Sequence, residues 1–371
     1  MESAIKTLIT AYDEPHQAAL EFRKADRPIF GYITEHVPIE LIHAAGILPL
    51  RIQGGNTADL ADLHLQAFSC SYARSAIHMA MNGSYDYLNG LISSKTCDVA
   101  LSLFQIWEDC RPLQFKWLLS LPGNCDADAI AYFRDELVEL KTAVEEYRQL
   151  EISEEGLLQA IELYNDIRQV VNQLWVKRKV GSLALSTGDL VRALKGSQVL
   201  PPESSLDLLK RLLENGDGQT PLQGSDVRLM LFGTSYADAT LVDIIEKNGG
   251  RVLMDDTHSI GRLFGSNVEI QDDPLTSIAQ HYVCKVTGCY RLTYEERWER
   301  IQNLIKEWNI NGCIHIIQKF CDTSLFDSPL IQDDLKALGI PTLVLDIDDT
   351  SPGMGQLETR VQAFIEMVGG V

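Results

Sequence analysis

Two stretches of the chain alternate short apolar runs with segments whose apolar residues recur every three or four positions. In the first, Ile29–Ile33 and Leu48–Ile52 read as strands on either side of "PIELIHAAG", a helical pattern in which Pro38 suits the first turn and Gly46 the end. "GLISSK" and "VALSLF" read as two more buried strands. From about Ala129 to Asn215 the pattern changes to long, charged, helix-period segments such as "YFRDELVELKTAVEEYRQL". "ENGDGQTPLQGSD" (Glu214–Asp226) is rich in Gly, Asp and Pro and reads as a linker.

Alternation resumes with the strands "VRLMLFG", "GRVLMDD", "NGCIHIIQKF" and "IPTLVLDID", separated by helices such as "ATLVDIIEKNGG" and "QDDLKALG". The closing "GQLETRVQAFIEMVGG" sets Leu357, Val361, Phe364, Ile365 and Val368 at helical spacing, which predicts a helix packed on the second sheet. The expected fold is α/β: one open parallel sheet within residues 1–128, a helical segment over 129–215, and a second open parallel sheet within 216–371.

Composition narrows the function. A net charge of -20 repels a phosphate backbone, so a nucleic-acid partner is excluded. The opening "MESAIKTLITAYDEPHQAALEF" mixes charged and apolar residues and offers neither a signal-peptide core nor a membrane span, so a cytoplasmic protein is expected. In that compartment the eight cysteines read as reduced thiols or metal ligands rather than disulfides, and none forms a CxxC pair.

Two of those cysteines stand in matching strings. "LISSKTCDVA" (Leu91–Ala100) and "HIIQKFCDTS" (His315–Ser324) each end a strand at a lysine, pass one residue and reach Cys-Asp. Ligands of open parallel sheets sit beyond the carboxyl ends of the strands, so Cys97 and Cys321 are expected on the ligand-facing edge of their sheets. Cys70, in "AFSCSYARSA", stands where a helical pattern begins, a place that favours negative charge and is expected to lower a thiol pKa. Three thiolates arriving from two domains suit a metal cluster, and soft thiolates select iron–sulfur clusters, zinc or copper(I). The same three residues also fit a plainer reading as small buried hydrophobes.

Cys313 lies inside a strand and reads as core. Cys110 and Cys125 border a loop, and Cys284 and Cys289, five apart, have no common ligand spacing.

Taken together, "GYITEHVPIELIHAAGILPLRI", "FSCSYARSAI", "GLISSKTCDVALSLFQIWED", "DDTHSIGR", "KFCDTSLFDSPLI" and "GIPTLVLDID" with "GQLETRVQAFIEM" resemble, in order, the 2-hydroxyacyl-CoA dehydratase / benzoyl-CoA reductase family over nearly the whole chain. The resemblance implies two Rossmann-like domains with a [4Fe-4S] cluster between them, held by Cys70, Cys97 and Cys321. It implies a heterodimer with a homologous second subunit, an acyl-CoA substrate, and an ATP-hydrolysing iron–sulfur activator protein that injects one electron. In such enzymes the electron converts the thioester carbonyl to a ketyl radical anion, which expels the 2-hydroxyl and acidifies the β C–H. In the aromatic-ring-reducing relatives the electrons stay in the product. The chain's length and its "KFCD" and "GQLETRVQAFIEM" segments resemble those of the family's smaller subunit, which implies electron relay rather than contact with substrate.

Other residues carry two readings each. Asp98 and Asp322 are expected to cap the helices that begin there or to orient the ligand cysteines, and Lys95 and Lys319 to offset cluster charge or cover strand ends. Trp107 reads as packed or as lining the site, His36 as a hydrogen-bonded loop histidine. Arg262 meets an anionic group or pairs with Asp255 or Asp256. "WVKRK" (Trp175–Lys179), the densest basic run, is a solvated helix face or a site for CoA phosphates. Two competing functions remain: an electron-transfer protein with one or two clusters and no substrate, and a metal-free α/β binding protein.

Overall fold

The computed structural model describes residues 2–23, 27–220, 226–286, 293–350 and 353–370. Strands β1 (Ile29–Tyr32), β2 (Leu48–Arg51), β3 (Gly90–Ser94) and β4 (Phe115–Leu119) form one parallel sheet in the order β2-β1-β3-β4. Strands β5 (Arg228–Gly233), β6 (Arg251–Thr257), β7 (Gly312–Gln318) and β8 (Thr342–Ile347) form a second, ordered β6-β5-β7-β8. Every pairing is parallel. Helices cover both faces, as all-parallel sheets require. The two sheets share one order, second-first-third-fourth, and in that order the direction of winding reverses between the first and third strands, where such folds bind ligands.

One predicted strand is not a strand. "VALSLF" lies in the helix Asp98–Cys110, whose buried residues Ala100, Leu103, Phe104 and Trp107 repeat at helical spacing. A six-residue apolar run cannot by itself separate the two periods. The fourth strand is instead "FKWLL", Phe115–Leu119.

The helical stretch after residue 126 serves both sheets. Phe133, Leu137, Leu140 and Val144 of helix Ala127–Arg148 join the core on one face of the first sheet. Helix Glu154–Val180 adds Leu157 and Ile161 to that core and Val170, Val171, Leu174 and Trp175 to the core of the second sheet. Leu275, Ile278, Ala279 and Tyr282 of helix Pro274–Cys284 return to the first core, and Leu8 joins the second. A buried ion pair pins the crossing: Arg168 binds Glu40 at 2.5 Å, and the Tyr282 hydroxyl donates to the same carboxylate at 2.8 Å. Removing one partner of such a pair costs about 3–5 kcal/mol.

Cys125 and Cys284 form a disulfide, contrary to the expectation of reduced thiols. The cause is packing: helix Pro274–Cys284 lies against helix Ala127–Arg148, so its last residue meets the loop that leads into that helix. Cys110 and Cys313 are free thiols, Cys313 fully buried in β7, and Cys289 lies outside the described residues.

Candidate functional site

The carboxyl ends of the two sheets face each other across a cavity of about 120 Å³. Cys70, Cys97 and Cys321 all line it, and all three are free thiols. Each occupies the N-cap position of a helix: Cys70 before Ser71–Met81, Cys97 before Asp98–Cys110, Cys321 before Asp322–Ala337. Three helix N-termini, with their unsatisfied N–H groups and positive dipole ends, therefore converge on one small space, an arrangement that stabilises negative charge there. Among the described residues no three metal-ligating side chains are grouped to hold a single ion. Three free thiols on one cavity wall are soft donors of the kind that iron–sulfur clusters, zinc and copper(I) take.

The matching Lys-x-Cys-Asp strings end the third strand of each sheet. In the first sheet the Lys95 N–H donates to Leu119 O at 3.0 Å; in the second the Lys319 N–H donates to Ile347 O at 2.7 Å. Each lysine thus extends the ladder onto the fourth strand by its backbone, while its side chain is exposed. A threonine just past the first strand closes the same corner. Thr34 Oγ1 accepts from the Ser94 N–H at 3.2 Å, and Thr234 Oγ1 accepts from the Gln318 N–H at 2.7 Å. Gly233 turns β5 toward this corner at φ +114°, where a Cβ would lie 2.2 Å from Ile316 O. The shared motif is a repeat of place.

Hydrogen bonds reach each sulfur. The Ala100 N–H donates to Cys97 Sγ at 3.4 Å, the Ala73 N–H to Cys70, and the hydroxyls of Thr323 and Ser324 lie 3.6 and 3.4 Å from Cys321 Sγ. The helix terminus lowers the Cys70 thiol through the Ala73 N–H, but by less than burial raises it, so the net shift runs against expectation. Burial pushes it up to about 12, and the nearby Cys321 and Cys97 add to the rise. Burial likewise raises Cys97, with Cys321 as a further cause. The N–H hydrogen bonds at the helix termini are worth less than the desolvation of a thiolate in this recess.

Two polar contacts tie the sheets together across the cavity. Gln318, at the end of β7, accepts from the Ser71 hydroxyl, and its amide donates to Asp349 and to Ser235 O (3.0 Å); the Asp349 N–H in turn donates to Ser71 Oγ at 3.3 Å. On the other side His258 Nδ1 lies 2.6 Å from Glu35. Behind His258 stands Arg262, whose Nη1 is 3.1 Å from His258 Nε2 and whose Nε is 3.4 Å from Asp256. Arg300 completes the row, 2.6 Å from Asp256. Although burial favours protonated Asp256, Arg300 and Arg262 hold it below the ordinary carboxylate range.

Arg262 is therefore buried against Asp256, while Asp255 accepts from the Tyr236 hydroxyl at 2.6 Å. His36 is buried and bonded to Tyr282 O at 2.9 Å, as a loop histidine. Trp107 is buried in the helix beside Tyr85 and does not line the cavity. Asp98 and Asp322 are exposed and do not cap, because the preceding cysteines hold the N-cap positions. The "WVKRK" run is spoken for: Lys177 pairs with Asp217, Arg178 with Glu246, and Lys179 lies over Trp308. It leaves no open basic patch for CoA phosphates.

Thr34, Glu35, Thr234, His258 and Gln318 were not singled out from sequence. The signal for the threonines was present, since "GYIT" and "LFGT" end the first strand of each sheet as the lysine strings end the third.

Among the described residues no helix is long and apolar enough to cross a membrane. The family profile described as 2-hydroxyglutaryl-CoA dehydratase, D-component, matches residues 34–368. One of the benzoyl-CoA reductase subunits of Thauera aromatica is 24% identical over 362 residues, covering 95% of this chain and 94% of that protein. The (R)-phenyllactyl-CoA dehydratase beta subunit of Clostridium sporogenes is 24% identical over 91% of this chain and 90% of its own, and the lactoyl-CoA dehydratase subunit beta of Anaerotignum propionicum 25% over 99% of each.

Proposed function

The chain belongs to the 2-hydroxyglutaryl-CoA dehydratase D-component family, and from that premise we propose that it is the smaller, cluster-bearing subunit of a 2-hydroxyacyl-CoA dehydratase. The observation that carries the reading is the meeting of three free cysteines, from two sheets, on the wall of one cavity.

Cys70, Cys97 and Cys321 would hold a [4Fe-4S] cluster, leaving one iron without a protein sulfur. When bound, such a cluster supplies single electrons at low potential for radical loss of water from a 2-hydroxyacyl-CoA thioester. The chain's own part is to hold and tune. The Ala73 and Ala100 N–H groups donate to Cys70 and Cys97, which favours thiolate over thiol, while the Cys321 thiol donates to the Ser324 hydroxyl. Loading the site releases the protons that burial keeps on Cys70 and Cys97. The Ser71–Gln318–Asp349 and Glu35–His258 contacts hold the two sheets in register around the cysteines.

At about 120 Å³ the cavity is well below the roughly 300–1,000 Å³ of ordinary ligand pockets. This supports relay: the acyl-CoA is bound on a homologous second subunit, and an ATP-hydrolysing iron–sulfur activator reduces the pair. The setting is the cytoplasm of an anaerobic cell. A second reading, as part of an aromatic acyl-CoA reductase, is favoured by the benzoyl-CoA reductase relative, which matches at the same identity.

Reconstitution under strict anaerobiosis with a homologous partner subunit and activator separates the two. The dehydratase reading expects many enoyl-CoA products per electron injected into 2-hydroxyacyl-CoA mixtures. Reductant consumed in proportion to product, with benzoyl-CoA as substrate, would establish the reductase instead.

A further inference from the structure

The lining of the cysteine cavity contains one carboxylate, and its place on the wall gives it more to do than tie the sheets together. Glu35 follows β1, is 4% exposed, and lies on the same wall as Cys70, Cys97 and Cys321. Burying an ionised carboxylate is costly unless something answers its charge. Its charge is met by His258, His36 and Arg51, and the first of these is itself constrained. A guanidinium only donates, so His258 Nε2 must accept from Arg262, and the ring then carries its proton on Nδ1, aimed at Glu35. The row Asp256, Arg262, His258, Glu35 thus runs from the second sheet to the cavity and fixes the orientation of one oxygen donor, as partners behind metal ligands do.

Other polar groups on the wall are less suited to iron. Gln318 is engaged by Ser71 and Asp349, both nitrogens of His258 are occupied, and Arg51 carries no lone pair to give. The hydroxyls of Thr34 and Thr234 are committed to the strand ends. Among the lining residues Glu35 alone offers an anionic oxygen, a donor that iron accepts alongside thiolates.

We infer that Glu35 is the ligand of the iron that the three cysteines leave bare, and that His258 is its positioning residue. The inference rests on the cluster reading above. It makes the site a closed, fully ligated relay, with no corner for substrate.

Anaerobically purified protein is the test, with iron per chain and the EPR signal followed during mild oxidation by ferricyanide. Wild type should keep about four irons. Glu35→Gln should load the cluster but lose the unprotected iron about tenfold faster or more, giving the signal of a three-iron cluster. Glu35→Cys should resist oxidation at least as well as wild type and shift the EPR signature toward that of a four-thiolate cluster, which also shows that position 35 tolerates replacement. His258→Ala should fall between wild type and Glu35→Gln. Iron loss from Glu35→Gln at the wild-type rate with an unchanged spectrum would overturn the inference and leave the cluster reading standing. Wild type that takes up no iron would overturn both.

Discussion

The two sheets end alike and are furnished differently. At the carboxyl edge of each, a threonine past the first strand caps the end of the third, a lysine N–H extends the ladder to the fourth, and a cysteine two residues later opens a helix. Yet the first sheet supplies two cysteines and Glu35, while the second supplies one cysteine together with Gln318 and His258, which reach across to Ser71 and Glu35. Backbone topology fixes where the two cysteines of the repeat stand. Side chains then divide the labour, one half contributing most of the thiols and the carboxylate of the cavity and the other holding them.

That division can be broken from the holding side first. Gln318→Ala removes bonds to Ser71, Asp349 and Ser235 at once and leaves buried partners unsatisfied, an expected loss of about 3 kcal/mol in urea unfolding. A loss under about 0.5 kcal/mol, the range of ordinary surface substitutions, would deny the cross-sheet lock.

Next comes Glu35→Gln, read as a function of pH. Burial works to raise the Glu35 pKa, but His258, then His36 and Arg51, hold it well below the ordinary 4.5. A carboxyl depressed in the folded state binds fewer protons folded than unfolded, so it stabilises above 4.5 and that contribution is lost as pH falls toward the folded value. The variant should be about 2 kcal/mol less stable than wild type at pH 7, with the gap closing below pH 4.5. A gap that is constant from pH 7 to pH 4 would mean that the charge of Glu35 contributes nothing.

Smaller effects test the likeness of the two halves. Thr34→Val and Thr234→Val each delete an acceptor for the N–H that ends a third strand, and each should cost about 1 kcal/mol. Widely unequal losses would show that the repeat is one of sequence only. Lys95→Ala and Lys319→Ala should stay within about 0.5 kcal/mol of wild type, because both side chains are exposed and the structural work is done by the backbone.

Strong period and position were legible in the sequence; anything decided by a distant neighbour was not. The strands of the second sheet and the placing of Cys97 and Cys321 followed from apolar runs and their ends. "VALSLF" misled because six apolar residues fit either period, and only Cys97 at the N-cap and Leu103, Phe104 and Trp107 on one face decide for a helix. The Cys125–Cys284 pair, 159 residues apart, depends on two helices meeting, which neither local string encodes. The Cys70 thiol went the other way from expectation because burial, a property of the assembled fold, outweighed the helix terminus. The same limit hid the Glu35–His258 contact, which joins ends of two different sheets.

The central claim is that Cys70, Cys97 and Cys321 act as one ligand set, and iron analysis of anaerobically prepared single variants tests it most directly. Wild type, Cys110→Ser and Cys313→Ser should each carry about four irons per chain, while Cys70→Ser, Cys97→Ser and Cys321→Ser should each lose most of that iron. Full iron in all three of the latter, or none in wild type, would contradict it.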